Sequence, residues 1–222
     1  MRKINIFILV LLITFLVGCY SSQITKEEEI VKPGFSSTRQ PLPLEQRKKV
    51  AVLAFDDQTD YGHGRIGRSA ASVLTTYLDR SGQFALYERE KIDLIMQEQN
   101  IAANGKYDAS TATIIGKTAG VDFVVIGTVS SFGYKTIRNQ VLIFGSSMKQ
   151  VAEATVDVRL VEVATGRIIA SESGRGVAEN ETKQVLGVGA SAGYDESMAS
   201  DALRAAISKF VDKLINESLD ER

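Results

Sequence analysis

The sequence is poor in the residues from which catalytic and metal chemistry are built. It holds one cysteine, one histidine and no tryptophan in 222 residues. Zinc and iron sites therefore have few ligands to draw on, and Ser-His-Asp or Cys-His catalysis would have to run through His63 alone. No nucleophile or metal set converges on that histidine. The expectation is a protein that is not an enzyme and holds neither metal nor cofactor. An excess of positive charge is missing as well. The 26 Lys and Arg are matched by 27 Asp and Glu, so no basic surplus exists to neutralise phosphates, and nucleic acid is not expected as a partner. Proline is scarce too. Pro33, Pro41 and Pro43 are all there are, which leaves everything after residue 43 free of that breaker.

What is present begins at the N-terminus. Arg2 and Lys3 precede an apolar run over residues 4–15, followed by Leu16-Val17-Gly18-Cys19. A basic start, a short apolar stretch and a small residue at the cut are the marks of a secretory signal. The run falls short of the roughly 18–20 residues that span a bilayer as a helix. Leu16-Val17-Gly18-Cys19 resembles the lipobox of bacterial lipoproteins, whose cysteine thiol receives a diacylglycerol before cleavage. That resemblance implies a signal peptide over residues 1–18 and a lipid on Cys19. A disulfide would need a second cysteine, and a catalytic thiol inside an apolar segment would lack an activating base. Tyr20, in place of Asp after the cysteine, points to the outer membrane of a Gram-negative host.

Residues 19–48 are polar, hold all three prolines and carry Glu27-Glu28-Glu29; they read as a flexible tether. A Val-rich run over residues 49–55 reads as a buried strand, and a polar loop follows over residues 56–65. Ile66, Ala70, Val73, Leu74, Tyr77 and Leu78 then recur at helical spacing. A second strand covers residues 84–87 and a helix residues 90–99. Asp108 or Ser110 can cap a third helix that stops at Gly120. Residues 122–129 are another buried strand. Residues 154–163 alternate, and a turn over residues 164–167 makes a hairpin with residues 168–173. A last helix turns Leu203, Ile207, Phe210, Val211, Leu214 and Ile215 inward. The order β-α-β-α-α-β-β-β-α predicts an α/β sandwich of one mixed sheet and helices over residues 49–222.

Two long stretches stand outside this compact pattern, residues 131–152 and residues 174–197. Stretches of that length without structure usually signal function or disorder. In the second, Leu186, Val188, Ala190, Ala192 and Tyr194 alternate with small residues, a period suited to a strand with one membrane-facing side. Between residues 173 and 182, Arg175, Glu179 and Glu181 share one parity. The other parity, with Gly174, Gly176, Ala178 and Asn180, offers a poor lipid face.

Residues 62–67, Gly-His-Gly-Arg-Ile-Gly, match the GxGxxG pattern of dinucleotide sites. Residues 56–61 separate them from the strand, where that fingerprint needs an immediate turn. Asp56, Asp57 and Asp60 would set negative charge beside a pyrophosphate, and an exported protein meets little NAD. A loop that needs positive φ is the competing reading.

Residues 50–55, residues 86–93 with Gln97-Glu98-Gln99, residues 120–127, and residues 156–161 leading into Thr165-Gly166-Arg167-Ile168 resemble, in that order, the CsgG-like curli assembly/transport lipoproteins. The likeness covers about residues 49–215. It implies a homo-oligomeric ring in the outer membrane, with an α/β body in the periplasm and two β-hairpins per subunit donated to a shared barrel. Isolated hairpins would leave backbone groups unpaired in lipid, and closure satisfies them. By position, residues 131–152 and 174–197 would be the hairpins. The loop with Tyr61, His63 and Arg65 would be the constriction through which unfolded fibre subunits pass.

Three functions follow for testing. The first is an oligomeric outer-membrane lipoprotein that forms or supports a secretion channel for extracellular-fibre subunits. The second is a periplasm-facing lipoprotein that docks on another envelope protein, such as a cell-wall synthase, without a pore. The third is an enzyme built on His63.

Overall fold

In the computed structural model, residues 39–61, 64–141, 145–184 and 196–216 are described. The expected lipidation site Cys19, the loop residue His63 and the alternating set Leu186, Val188, Ala190, Ala192 and Tyr194 lie outside the described residues.

A single 3-10 turn, Leu44–Gln46, leads into strand β1, Lys48–Val52. Val50 and Ala51 are both buried, so β1 is covered on both faces, as its near-continuous apolar sequence requires. Strand β2, Asp56–Asp57, is a two-residue segment inside what the sequence presents as a loop. Helix α1, Arg65–Ser81, buries Ile66, Ala70, Val73, Leu74, Tyr77 and Leu78, the face its periodicity predicts. It stops at Gly82, whose φ of 64° supplies the left-handed C-cap. Strand β3, Phe84–Leu86, and helix α2, Arg89–Glu98, come next. Helix α3, Ala109–Ala119, is started by Asp108, whose carboxylate accepts from Thr111 N at 2.7 Å.

Three long strands follow: β4, Phe123–Val141; β5, Gly145–Glu162; and β6, Ile168–Gln184. Helix α4, Glu196–Asn216, closes the described chain. The six strands form one mixed sheet in the order β3-β1-β4-β5-β6, with β2 also on β4. β1 pairs in parallel with β3 and β4, while β5 pairs antiparallel with β4 on one side and with β6 on the other. Helices α1 and α4 cover one face, against Val50, Val125, Val156 and Leu160. On the other face, Ala51, Leu53, Val124 and Ile126 pack with Ile92 of α2 and Ile115 of α3. The fold is the expected mixed α/β sandwich, in three layers.

The strands differ from expectation in their length. β4 and β5 pair without interruption from Phe123↔Glu162 to Val141↔Gly145, apart from a bulge between Val129 and Ser131. Residues 131–141 and 145–152 thus form the outer parts of two paired strands whose inner parts are core sheet. β6 likewise runs from Ile168 past residue 174 to Gln184. Gly174 and Gly176 are not a lipid face, because they are the contact face for α4. A Cβ on Gly174 would collide with the carbonyl oxygen of Ala206, and one on Gly176 with that of Ala202. Glycine here allows strand and helix backbones to meet.

Candidate functional site

The loop between β2 and α1 is held by one carboxylate. Asp57 Oδ2 accepts from the backbone N–H groups of Ile66 at 3.1 Å and Gly67 at 3.3 Å, two of the donors a helix start leaves open. Its Oδ1 accepts from Thr59 N at 3.1 Å and Thr59 Oγ1 at 2.7 Å. The start of α1, where a pyrophosphate would sit in a dinucleotide site, is therefore filled by the protein's own anion. Gly67 has a different use from phosphate approach: a Cβ there would strike the Phe55 carbonyl oxygen, so it lets α1 close on the chain after β1. Gly64, at φ 82°, is the N-cap residue and takes the positive φ that the loop demands.

This arrangement places the loop residue Tyr61 over β4. Its ring meets Phe132 edge-on at 5.0 Å between centroids. Arg65, expected in the loop, is instead the first residue of α1, and the loop is shortened at its other end by β2. Tyr61 and Arg65 are brought together nonetheless. Both line a hollow of about 380 Å³ with Ile66, Ala199 and Leu203.

Arg65 also begins a larger groove, of about 900 Å³, between α1 and α4. Arg65, Arg68, Ser72, Thr76 and Arg80 follow one another along α1 at spacings of three or four residues, an exposed stripe along the edge of its buried face. Ser200 and Arg204 of α4 and Arg89 of α2 form the remaining wall. Tyr77 lies at the floor; burial pushes its hydroxyl pKa up, and Arg204 and Arg80 draw it partly back. Arg204 is paired with Asp201 at 3.0 Å. Sequence reasoning reached Tyr61 and Arg65 but missed Arg68, Arg80, Arg89 and Arg204. The stripe on α1 was readable from spacing, whereas the contributions of α2 and α4 depend on tertiary packing.

The outer halves of β5 and β6 present a second surface. Met148, Gln150, Ala152 and Ala154 of β5 are buried, and α4 packs along β5 and β6 on that side. The opposite side carries Lys149 paired with Glu179 at 2.8 Å and Arg175 paired with Glu153 at 2.7 Å. The Arg175 guanidinium holds the Glu153 carboxyl below its ordinary pKa. Lys213 of α4 reaches Glu172 of β6 at 2.8 Å.

Among the described residues, no group of three His, Cys, Asp or Glu is placed to hold a metal ion. No described helix is long and apolar enough to cross a membrane.

Comparison with known proteins gives three kinds of match. The family described as "Curli production assembly/transport component CsgG" matches residues 33–222. A Neisseria meningitidis serogroup B protein, NMB1126/NMB1164, whose name calls it a lipoprotein, is 27% identical over 178 residues, 76% of this chain and 75% of that one. Among solved structures, the LpoB C-terminal domain from Salmonella enterica aligns over 63% of this chain and 86% of its own, at 18% identity and a TM-score of 0.42. Lipoprotein GNA1162 from Neisseria meningitidis aligns over 74% of this chain and 99% of its own, at 15% identity and a TM-score of 0.44. A PelC dodecamer from Paraburkholderia phytofirmans aligns over 82% and 95%, at 15% identity and a TM-score of 0.41.

Proposed function

The chain belongs to the CsgG curli production assembly/transport family, and on that premise we propose that it is a lipid-anchored, non-catalytic envelope component that works by docking on a partner protein. Cys19 carries the lipid, the outer membrane holds it, and the α/β body faces the periplasm. The observation that carries this reading is the two-sided use of β5 and β6. One face of their outer halves is taken by α4, and the other bears the Lys149–Glu179 and Glu153–Arg175 pairs. A barrel strand needs about 9–11 residues with one apolar face toward lipid. Along residues 148–154 and 174–180 neither face is both free and apolar.

A second reading keeps the oligomeric secretion channel for fibre subunits. It is supported by the family and by the β4–β5 hairpin, which is long enough to run well past the inner sheet. One experiment separates the two. The full-length lipoprotein is extracted from membranes in detergent, sized, and added to a planar bilayer. The docking reading expects no conductance, and release from the membrane when Cys19→Ser prevents acylation. Stepwise conductance from a ring of defined size overturns it in favour of the channel.

A further inference from the structure

We propose that the groove between α1 and α4 is a docking cleft for an acidic peptide segment of a partner protein, anchored by one apolar side chain in the hollow beside Tyr61. The proposal deepens the docking reading and rests on it.

Charge is the first observation. Some exposed cations are paired, as in Lys149–Glu179, Arg175–Glu153 and Lys213–Glu172, and others such as Lys106, Lys117 and Arg167 stand singly in separate segments. Among the described residues, Arg65, Arg68, Arg80 and Arg89 form no ion pair, yet all four line one groove. In a chain with a net charge of −1, this is a local concentration of unmatched guanidinium groups. Such groups take carboxylates with two parallel hydrogen bonds, and a cleft lined by one sign draws in the other.

The middle of the groove says which kind of anion fits. Ser72 Oγ donates to Arg68 O at 3.0 Å and Thr76 Oγ1 donates to Ser72 O at 2.9 Å. Both hydroxyl protons are thereby committed to the helix, and what these groups show the groove is acceptor oxygen. A peptide brings N–H donors to meet them and carboxylates to meet the arginines. A phosphate-rich surface brings acceptors only, and a bilayer is too flat to enter a cleft.

Length and the end of the groove complete the description. Arg65 and Arg80 stand about 22 Å apart along the helix at 1.5 Å per residue, the span of about six or seven extended residues. At the Arg65 end the groove opens into the hollow lined by Tyr61, Ile66, Ala199 and Leu203, with Glu196 on its rim. That carboxylate repels an acidic side chain there, so this end takes the apolar anchor.

The test uses the full-length protein in detergent and a fluorescein-labelled decapeptide, one phenylalanine followed by alternating glutamate and serine, read by fluorescence anisotropy. Saturable binding that weakens with added salt is expected. Arg68→Gln with Arg80→Gln should weaken it about five- to tenfold, the size two exposed charge-assisted pairs supply. Tyr61→Ser should weaken it separately, and a single cooperative thermal unfolding transition, lowered only slightly in Tyr61→Ser by loss of the Phe132 ring contact, certifies that the variants are folded. Equal binding of the all-glutamine peptide, or of the double-arginine variant, overturns the proposal. So does binding to phosphatidylglycerol vesicles that needs these arginines while the peptide does not bind, or an oligomer that disperses when they are replaced. Absent peptide binding together with absent conductance removes this cleft and leaves the docking reading to another face.

Discussion

Gly174 of β6 lies directly against the carbonyl oxygen of Ala206 in α4, with no room for a Cβ between them. Gly176 is in the same position against Ala202. These contacts fix the helix over the outer sheet, and through the helix they fix one wall of the arginine groove.

Gly174→Ala should therefore destabilise the protein by about 1–3 kcal/mol, the usual cost of overfilling a packed site. Gly133 on β4 is the internal control, because a Cβ there meets nothing within 4 Å. Gly133→Ala should be neutral or slightly stabilising, since it restricts the unfolded chain. Urea unfolding of the two variants checks both, and equal midpoints would mean that α4 is not seated on β6.

Asp57→Ala should cost about 1–2 kcal/mol, the range for a lost helix-start acceptor. The loss should be local first: amide exchange at Ile66 and Gly67 should accelerate more than at Leu74 or Leu78 in the same helix. Asp57→Asn keeps one acceptor oxygen and should recover most of the stability. Equal exchange across α1 would show that the cap does not hold the loop.

Much of this architecture was legible because its signals are local. The inward faces of α1 and α4 follow from 3.6-residue spacing, the Asp108 cap from residue type, and the turn at Gly166, where φ is 72°, from Thr-Gly between two alternating runs. Strand β2 was not legible, since two aspartates carry no strand signal and are held by pairing to Thr128 and Val129. Gly174 and Gly176 were visible, but their purpose was not: a small residue facing lipid and one facing a helix backbone look alike in sequence. The groove failed for a further reason. Its arginines come from three helices, and no periodicity links Arg68 to Arg89 or Arg204.

Acid should weaken the fold through Glu153 and Asp108. The hydrogen bond from Arg175 lowers the pKa of Glu153, and the backbone N–H of Thr111 lowers that of Asp108. The folded state thus binds these protons less tightly than the unfolded chain. The stability they contribute is complete above the ordinary carboxylate range, about pH 4, and is lost as pH falls through the lowered values. Asp212 acts in the opposite sense, because burial raises its pKa; its unfavourable charge is relieved as pH falls. Urea midpoints between pH 7 and pH 3 should fall less steeply in Glu153→Gln than in the wild type. Asp212→Asn should raise the midpoint at pH 7 and leave the acid limb in place. Because Glu153 and Arg175 are partly solvent-exposed, both effects should be small.

Tyr61 and Phe132 connect the loop beside the groove to the long hairpin, with ring centroids 5.0 Å apart and planes at 81°. Edge-on aromatic pairs contribute about 0.5–1.5 kcal/mol beyond area burial, and Tyr61 is 38% exposed, which favours the lower end. Tyr61→Ala and Phe132→Ala in a double-mutant cycle should therefore couple by about 0.5–1 kcal/mol. The functional consequence is directional. Phe132 is buried in the core cluster that also holds Ile66, Ala199 and Leu203 of the hollow, so Phe132→Ala should weaken binding of the acidic decapeptide by releasing the wall of that hollow. It should do so without changing the salt dependence, which belongs to the arginines. A Phe132→Ala variant that binds the peptide as the wild type does would detach the hairpin from the groove and leave Tyr61 as a solvent-facing loop residue.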